Sequence, residues 1–245
     1  LDDIDAYKKY PHHHKWFNKL WLSEKLGYRC GLRGYQVIAT NEYIVRPIMN
    51  LEGMGVGAKI VTLTNNPIHE LYEKDEVPPG HFWCEKFEGR HFSYEFKWEE
   101  DWQVPIKTPY YAKGWRQLNC WEGFRELGEN RLWRWSKWKK CYRLGLKLPD
   151  WVDELKDVGH INVECIDDNI IEIHLRPNCD PIDEYLELIV WWKDTKYPKK
   201  TYFKHGYVYI ESYDDADGLL PMPRLGFLAL PIIERTRYQN DGTKH

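Results

Sequence analysis

Residues Ile161 to Arg176, INVECIDDNIIEIHLR, constrain the fold of this chain more than any other stretch. Two short runs alternate apolar and polar residues around Asp167-Asp168-Asn169. The first run puts Ile161, Val163 and Cys165 on one face, and the second puts Ile171, Ile173 and Leu175 on one face, the period of two expected of half-buried strands. With the three polar residues as the turn, Cys165 opposes Ile171, Val163 opposes Ile173 and Ile161 opposes Leu175. A slip of one residue would set Val163 against His174 and mix core with solvent, so the pattern selects this register.

The same register leaves Glu164 opposite Glu172, Asn162 opposite His174 and His160 opposite Arg176 on the polar face. Directly opposed side chains on antiparallel strands have Cβ atoms about 4.5–5.5 Å apart, and like charges there repel. Something should offset that repulsion. A bound Mg²⁺ would, since it favours one or two carboxylates plus substrate phosphates. A solvated face with the two glutamates splayed apart is the other reading, and the hairpin alone leaves both open.

The surrounding pattern predicts an α+β fold. Apolar spacing over Trp16 to Leu26, followed by Gly27, predicts a short helix. Tyr35 to Ala39, Tyr43 to Ile48 and Ala58 to Leu63 read as strands, with a glycine-rich connection at 53–57 before the last. Asn66-Pro67 predicts a helix start. After Pro78-Pro79-Gly80, residues 81–98 read as two strands around Glu88-Gly89. Pro149-Asp150 opens a short helix to Asp157, and Asp180-Pro181 opens an apolar helix to about Trp192. Strand pairs and helices alternate without βαβ repeats, which favours α+β over a parallel doubly wound sheet.

Composition narrows the setting. A chain of 245 residues can hold one large domain or two lobes. A net charge of −3 gives no global pull toward nucleic acid or anionic membrane. No apolar run approaches a membrane span and the charged N-terminus is no secretory signal, so a cytoplasmic protein without a membrane partner is expected. The six cysteines lack any CxxC pair, which argues against a zinc knuckle or a disulfide framework. The first residue is Leu, leaving a fragment or a processed product open.

These pieces, from Trp16 to Asp180, resemble the ATP-grasp superfamily, with spacing most like its glutathione synthetase branch. FNKLWL at 17–22 is similar to the family's early helix, which implies that Lys19 meets nucleotide phosphates. YIVRPIMNLEGMGVGAKIV at 43–61 resembles the strand with a basic residue before Pro and then the flap over the triphosphate. This implies phosphate-binding roles for Arg46, where the family usually has lysine, and for Gly53, Met54 and Gly55. FWCEKFEG at 82–89 resembles the inter-lobe hinge, with adenine against Cys84, Glu85, Lys86 and Phe87 and the ribose near Glu85 or Glu88. The hairpin resembles the metal-binding end, with Glu164 and Glu172 as Mg²⁺ ligands. His174 stands where the family has Asn, and imidazole is a softer ligand than an amide oxygen. Asn162, or Asn178 just beyond, is expected to supply the missing oxygen.

The resemblance implies two α+β lobes with largely antiparallel sheets and a nucleotide cleft between them. It divides the chain into a small lobe at 15–80, a large lobe at 81–192 and a C-terminal extension at 193–245. It implies a ligase that uses ATP and Mg²⁺ to join a small-molecule carboxylate to an amine or thiol through an acyl phosphate. Arg176 and His174, on the same polar face, are the expected catalytic pair. The alternative is a non-catalytic ATP-grasp protein that binds nucleotide, or nucleic acid through RLWRWSKWKKCYR at 131–143. That stretch interleaves six basic residues with aromatics, and it reads as a helix with an aromatic inner face and a basic outer face. His12-His13-His14 has no partner at metal-ligand spacing in the sequence and reads as a solvated loop.

Overall fold

A computed structural model describes residues 2–35, 37–49, 51, 57–65, 76–103, 111–127, 133–143, 145–178, 185–192, 205–214 and 224–232. Gly53, Met54 and Gly55, the helix expected from Asn66-Pro67 and the polar end after 232 lie outside them.

The architecture is α+β, built on antiparallel sheets. A four-stranded sheet has the order β1-β4-β2-β3, formed by β1 (Cys30–Leu32), β2 (Asn41–Pro47), β3 (Lys59–Leu63) and β4 (His81–Glu85). An eight-stranded sheet contains β5 (His91–Gln103), β6 (Tyr111–Leu127), β7 (Trp133–Cys141), β8 (His160–Ile166), β9 (Asn169–His174), β10 (Tyr185–Trp192), β11 (Val208–Asp214) and β12 (Arg224–Pro231). Its order is β11-β12-β10-β7-β6-β5-β8-β9. The chain passes between the sheets over residues 86–90, and β11 and β12 extend the second sheet rather than standing apart from it.

Short helices line the β9 edge. Helix α1 (Asp3–Lys9), a 3-10 helix at Pro11–Phe17 and α2 (Lys19–Lys25) precede the strands, and a second 3-10 helix at Asp150–Leu155 leads into β8. Trp16, Phe17 and Leu22 join one core with Phe92, Tyr94, Ile161, Val163, Ile173 and Leu175. Covering β9 in this way removes an open edge that would otherwise template pairing with another chain. Separate apolar clusters fill the four-stranded sheet around Tyr43, Val45 and Trp83 and the far half of the long sheet around Trp121, Leu188 and Phe227.

Several expectations are corrected. The helix over 16–26 arrives in two pieces, because Asn18 breaks the run and caps α2, its side chain accepting from the Trp21 amide at 2.9 Å. Of the strand expected over Tyr35 to Ala39, Tyr35 and Val37 are irregular and the chain bends over residues 38–40. The apolar helix to Trp192 is strand β10, in which Leu188 and Val190 are buried; Ile189, Val190, Trp191 and Trp192 are residues that suit a packed sheet. The basic-aromatic stretch is likewise strand β7, hydrogen-bonded between β6 and β10, so its residues alternate across a sheet.

Candidate nucleotide and metal site

The β8–β9 hairpin forms with the expected outer register: Asn162 opposes His174, Val163 opposes Ile173 and Glu164 opposes Glu172. Nearer the turn the pairing shifts, with Cys165 opposite Ile170 and Ile166 opposite Asn169. The loop is therefore two residues, not three, and Ile171 becomes the extra residue of a bulge. Ile170 takes the buried position expected of Ile171. Asp167 opens the turn at φ 49, a conformation Asp tolerates better than most residues. Gly89 lies so close to the Asp167 carboxylate that a side chain there would collide with it, so the turn docks on the connection between the sheets.

Both glutamates find partners within the protein. Lys19 Nζ lies 2.5 Å from Glu172 Oε1, and the lysine is nearly buried. Its amide donates to the Ile48 carbonyl at 2.8 Å, which anchors the start of α2 to the end of β2. Glu164 receives His91 Nε2 at 3.1 Å and faces His174 Nε2 at 3.7 Å. Burial alone would raise the Glu164 carboxyl, but His91 and His174 hold it well below the usual carboxylate range.

The second half of the cluster centres on Asp3, which is 3% exposed. Its carboxylate takes Arg176 in a two-pronged bond, Nε at 2.8 Å and Nη2 at 3.0 Å, and His174 Nδ1 at 2.9 Å. Burial opposes a charge on His174, yet Asp3 and Glu172, with hydrogen bonds to Asp3 and Glu164, outweigh it and push the imidazole up to about 10. The same cations hold the Asp3 carboxyl far below its ordinary value against its own burial.

Ligand atoms of Glu164, Glu172 and His174 all lie within 4.8 Å of one another. As a donor set for Mg²⁺, the two carboxylates, 25% and 18% exposed, fit a hard cation. His174 does not fit while Asp3 keeps it protonated. Asn162 is buried and its amide donates to Ser93 Oγ at 2.7 Å, the Tyr94 carbonyl at 3.1 Å and Glu95 Oε1 at 3.0 Å. Glu95 also accepts from the Asn178 backbone N–H at 2.8 Å and pairs with His160 Nε2 at 2.6 Å.

Arg46 reaches from β2 across to the hairpin, where Nη2 donates to the Ile171 carbonyl at 3.2 Å, the residue displaced by the bulge. Its Nε is buried without a hydrogen-bond partner among the described residues, and its guanidinium lies 5.4 Å from the Phe82 ring centroid. Lys19, Arg46, Glu164, Glu172, His174 and Arg176 are thus brought together around β9. Of the expected adenine segment, Cys84 is buried and Phe87 packs edge-on against Tyr28 at 4.7 Å. Glu85 is held in a fork by Arg29 Nε and Nη2 at 3.1 and 3.0 Å. Lys86 pairs with Glu42 at 2.8 Å and with the exposed Glu88 at 2.6 Å.

Asp3, Arg29, His91 and Glu95 escaped sequence reasoning, as did the pairing of His160 with Glu95. His91, Ser93 and Glu95 carried a usable signal, since they alternate along β5, beside Asn162 and Glu164. Asp3 carried none, lying 171 positions from His174.

No family model matches the sequence, and no curated protein matches it. In structure the chain is similar to solved proteins of the ATP-grasp superfamily. One from Archaeoglobus fulgidus, assigned to that superfamily, has a TM-score of 0.45 at 17% identity over 88% of this chain and 64% of the other. The ATP-grasp ligase PsnB, solved with a minimal precursor, has a TM-score of 0.41 at 10% identity over 69% and 54%. D-alanine–D-alanine ligase from Bacillus anthracis has a TM-score of 0.35 at 14% identity over 66% and 58%. The chain spans less than two thirds of each of these proteins.

Proposed function

We propose that this is a cytoplasmic ATP-grasp ligase that binds ATP between its two sheets and joins a small-molecule carboxylate to an amine or thiol. The observation that carries the reading is the convergence of Lys19 and Arg46, from the first sheet's side of the molecule, on the hairpin that bears Glu164 and Glu172. Lys19 would leave Glu172 for a phosphate, and the buried Arg46 Nε would gain an acceptor in a phosphate oxygen. Glu164 and Glu172 would hold Mg²⁺, which supplies charge neutralisation on the phosphates. The substrate carboxylate would attack the γ-phosphate with departure of ADP, and the amine or thiol would then attack the acyl carbon, lose a proton and displace inorganic phosphate. The protein's part is positioning and electrostatic stabilisation. Arg176 and the His174 imidazolium would meet the acyl phosphate in place of Asp3.

The same contacts favour a second reading. Asp3 already occupies Arg176 and His174, and Arg29 already occupies Glu85, the arrangement expected of a chain that binds nucleotide without ligating. The deciding experiment replaces Glu172 with Gln and follows ATP-dependent phosphate release against pooled amino acids. Loss of turnover with an unchanged circular dichroism spectrum supports the ligase; unchanged turnover rejects the Mg²⁺ assignment. A thermal shift with Mg-ATP but no phosphate release under any acceptor selects the non-catalytic reading.

A further inference from the structure

The histidine run at 12–14 gains in the fold the partner it lacks in the sequence. Asp157, which follows the 3-10 helix at Asp150–Leu155, sets its carboxylate between two imidazoles. Its Oδ2 lies 2.8 Å from His12 Nε2, and its Oδ1 lies 2.9 Å from His13 Nε2. The three ligand atoms all fall within 4.8 Å of one another.

Adjacent side chains on a helix do not face each other, so two sequential histidines sharing one carboxylate require a break. His13 supplies it: its backbone leaves helical geometry at φ −110, ψ 17, and the two ring centroids come to 4.1 Å. His13 is 4% exposed, so its orientation is set by packing. Its Nδ1 has no hydrogen-bond partner among the described residues and faces Glu154 Oε1 at 4.0 Å, where a carboxylate can orient a ligating imidazole through a water. Glu154 is in turn neutralised by Lys15 at 2.6 Å. His14 takes no part, because its Nε2 bonds the Tyr7 carbonyl at 2.8 Å and its ring stacks on Tyr7.

We infer that His12, His13 and Asp157 form a surface site for a divalent transition ion of the Zn²⁺, Co²⁺ or Ni²⁺ class. Two imidazole nitrogens and one carboxylate oxygen suit such ions better than Mg²⁺ or Ca²⁺. Ligands on an ion with bonds of about 2.1 Å stand about 3 Å apart at a right angle and about 3.4 Å apart at the tetrahedral angle, so the two nitrogen–oxygen hydrogen bonds in place, 2.8 and 2.9 Å, would open by about half an ångström or less to admit the ion. His12 and Asp157 are 58% and 47% exposed, so the remaining positions open to water. The ion would staple the N-terminal segment to the turn that leads into β8, and this site does not depend on the nucleotide reading.

The test is a titration of the full chain with Zn²⁺ by calorimetry and with Co²⁺ by visible absorption. Both are repeated in His12→Ala, Asp157→Asn and Glu172→Gln, the last removing a ligand from the hairpin cluster. His12 and Asp157 are chosen because they are exposed, and circular dichroism checks each fold. The expected result is one site with micromolar affinity that weakens at least tenfold in His12→Ala and in Asp157→Asn and is unchanged in Glu172→Gln. Absence of binding at millimolar ion, or binding that only Glu172→Gln removes, overturns the inference.

Discussion

Two regions of this molecule set histidines against carboxylates, and they do so at different depths. Around β9, Asp3, Glu164, Glu172, His174, Arg176 and Lys19 sit mostly out of water and partner one another. At the surface, His12 and Asp157 keep one face in solvent beside the buried His13. Depth decides what each arrangement does. A buried charge must be paired or it is expelled, so the inner network is locked and mutually dependent. The outer pairs are screened by water, contribute little to stability, and leave their ligand atoms available.

The largest effect should come from Asp3→Asn, which keeps the shape but leaves Arg176 and His174 without their shared anion. Removing one partner of a buried pair costs about 3–5 kcal/mol, readable as a shift in urea midpoint at constant slope. A shift below about 1 kcal/mol would erase the distinction between the two regions.

Next in size is an opposed pH dependence. His174 is held at about 10 in the fold against 6.5 in the unfolded chain. Its contribution is complete below about pH 6.5 and is lost as pH rises through about 10. The melting temperature should fall along the alkaline limb, less steeply in His174→Gln. Asp157 behaves in reverse: burial would raise its carboxyl, but hydrogen bonds from His12 and His13 bring it down to about 2 from 3.8. Its contribution is present above about pH 3.8 and is lost as pH falls through about 2, so Asp157→Asn should flatten only the acid limb.

At neutral pH without added ion, Asp157→Asn should cost less than about 1 kcal/mol in urea denaturation. Lys15→Ala, which breaks an exposed pair with Glu154, should cost only a few tenths of a kcal/mol. Equal costs for Asp3→Asn and Asp157→Asn would show that burial is not what separates the regions.

How much was legible beforehand can be judged residue by residue. The opposition of Glu164 to Glu172 was readable because alternation along both strands tolerates one register. The bulge at Ile171 was not, since Ile170 and Ile171 are equally apolar and only the two-residue turn chooses between them. Lys19 and Arg46 stood out through a resemblance, and the fold brings both to the hairpin. The repulsion that suggested a metal was real, but Lys19, His91 and His174 already offset it. Strands β7 and β10 were misread as helices because rich aromatic and apolar runs lack a period clear enough to separate the two forms.

By itself the sequence determined the α+β class, the antiparallel hairpin and which of its residues share a polar face, because these follow from local alternation and turn chemistry. Only the tertiary structure decided who neutralises that face. Asp3, His91 and Lys19 come from distant elements, and so does the Asp157 that completes the histidine run. Charge pairing depends on distance in space and on the exclusion of water, and neither is written in the order of neighbouring residues.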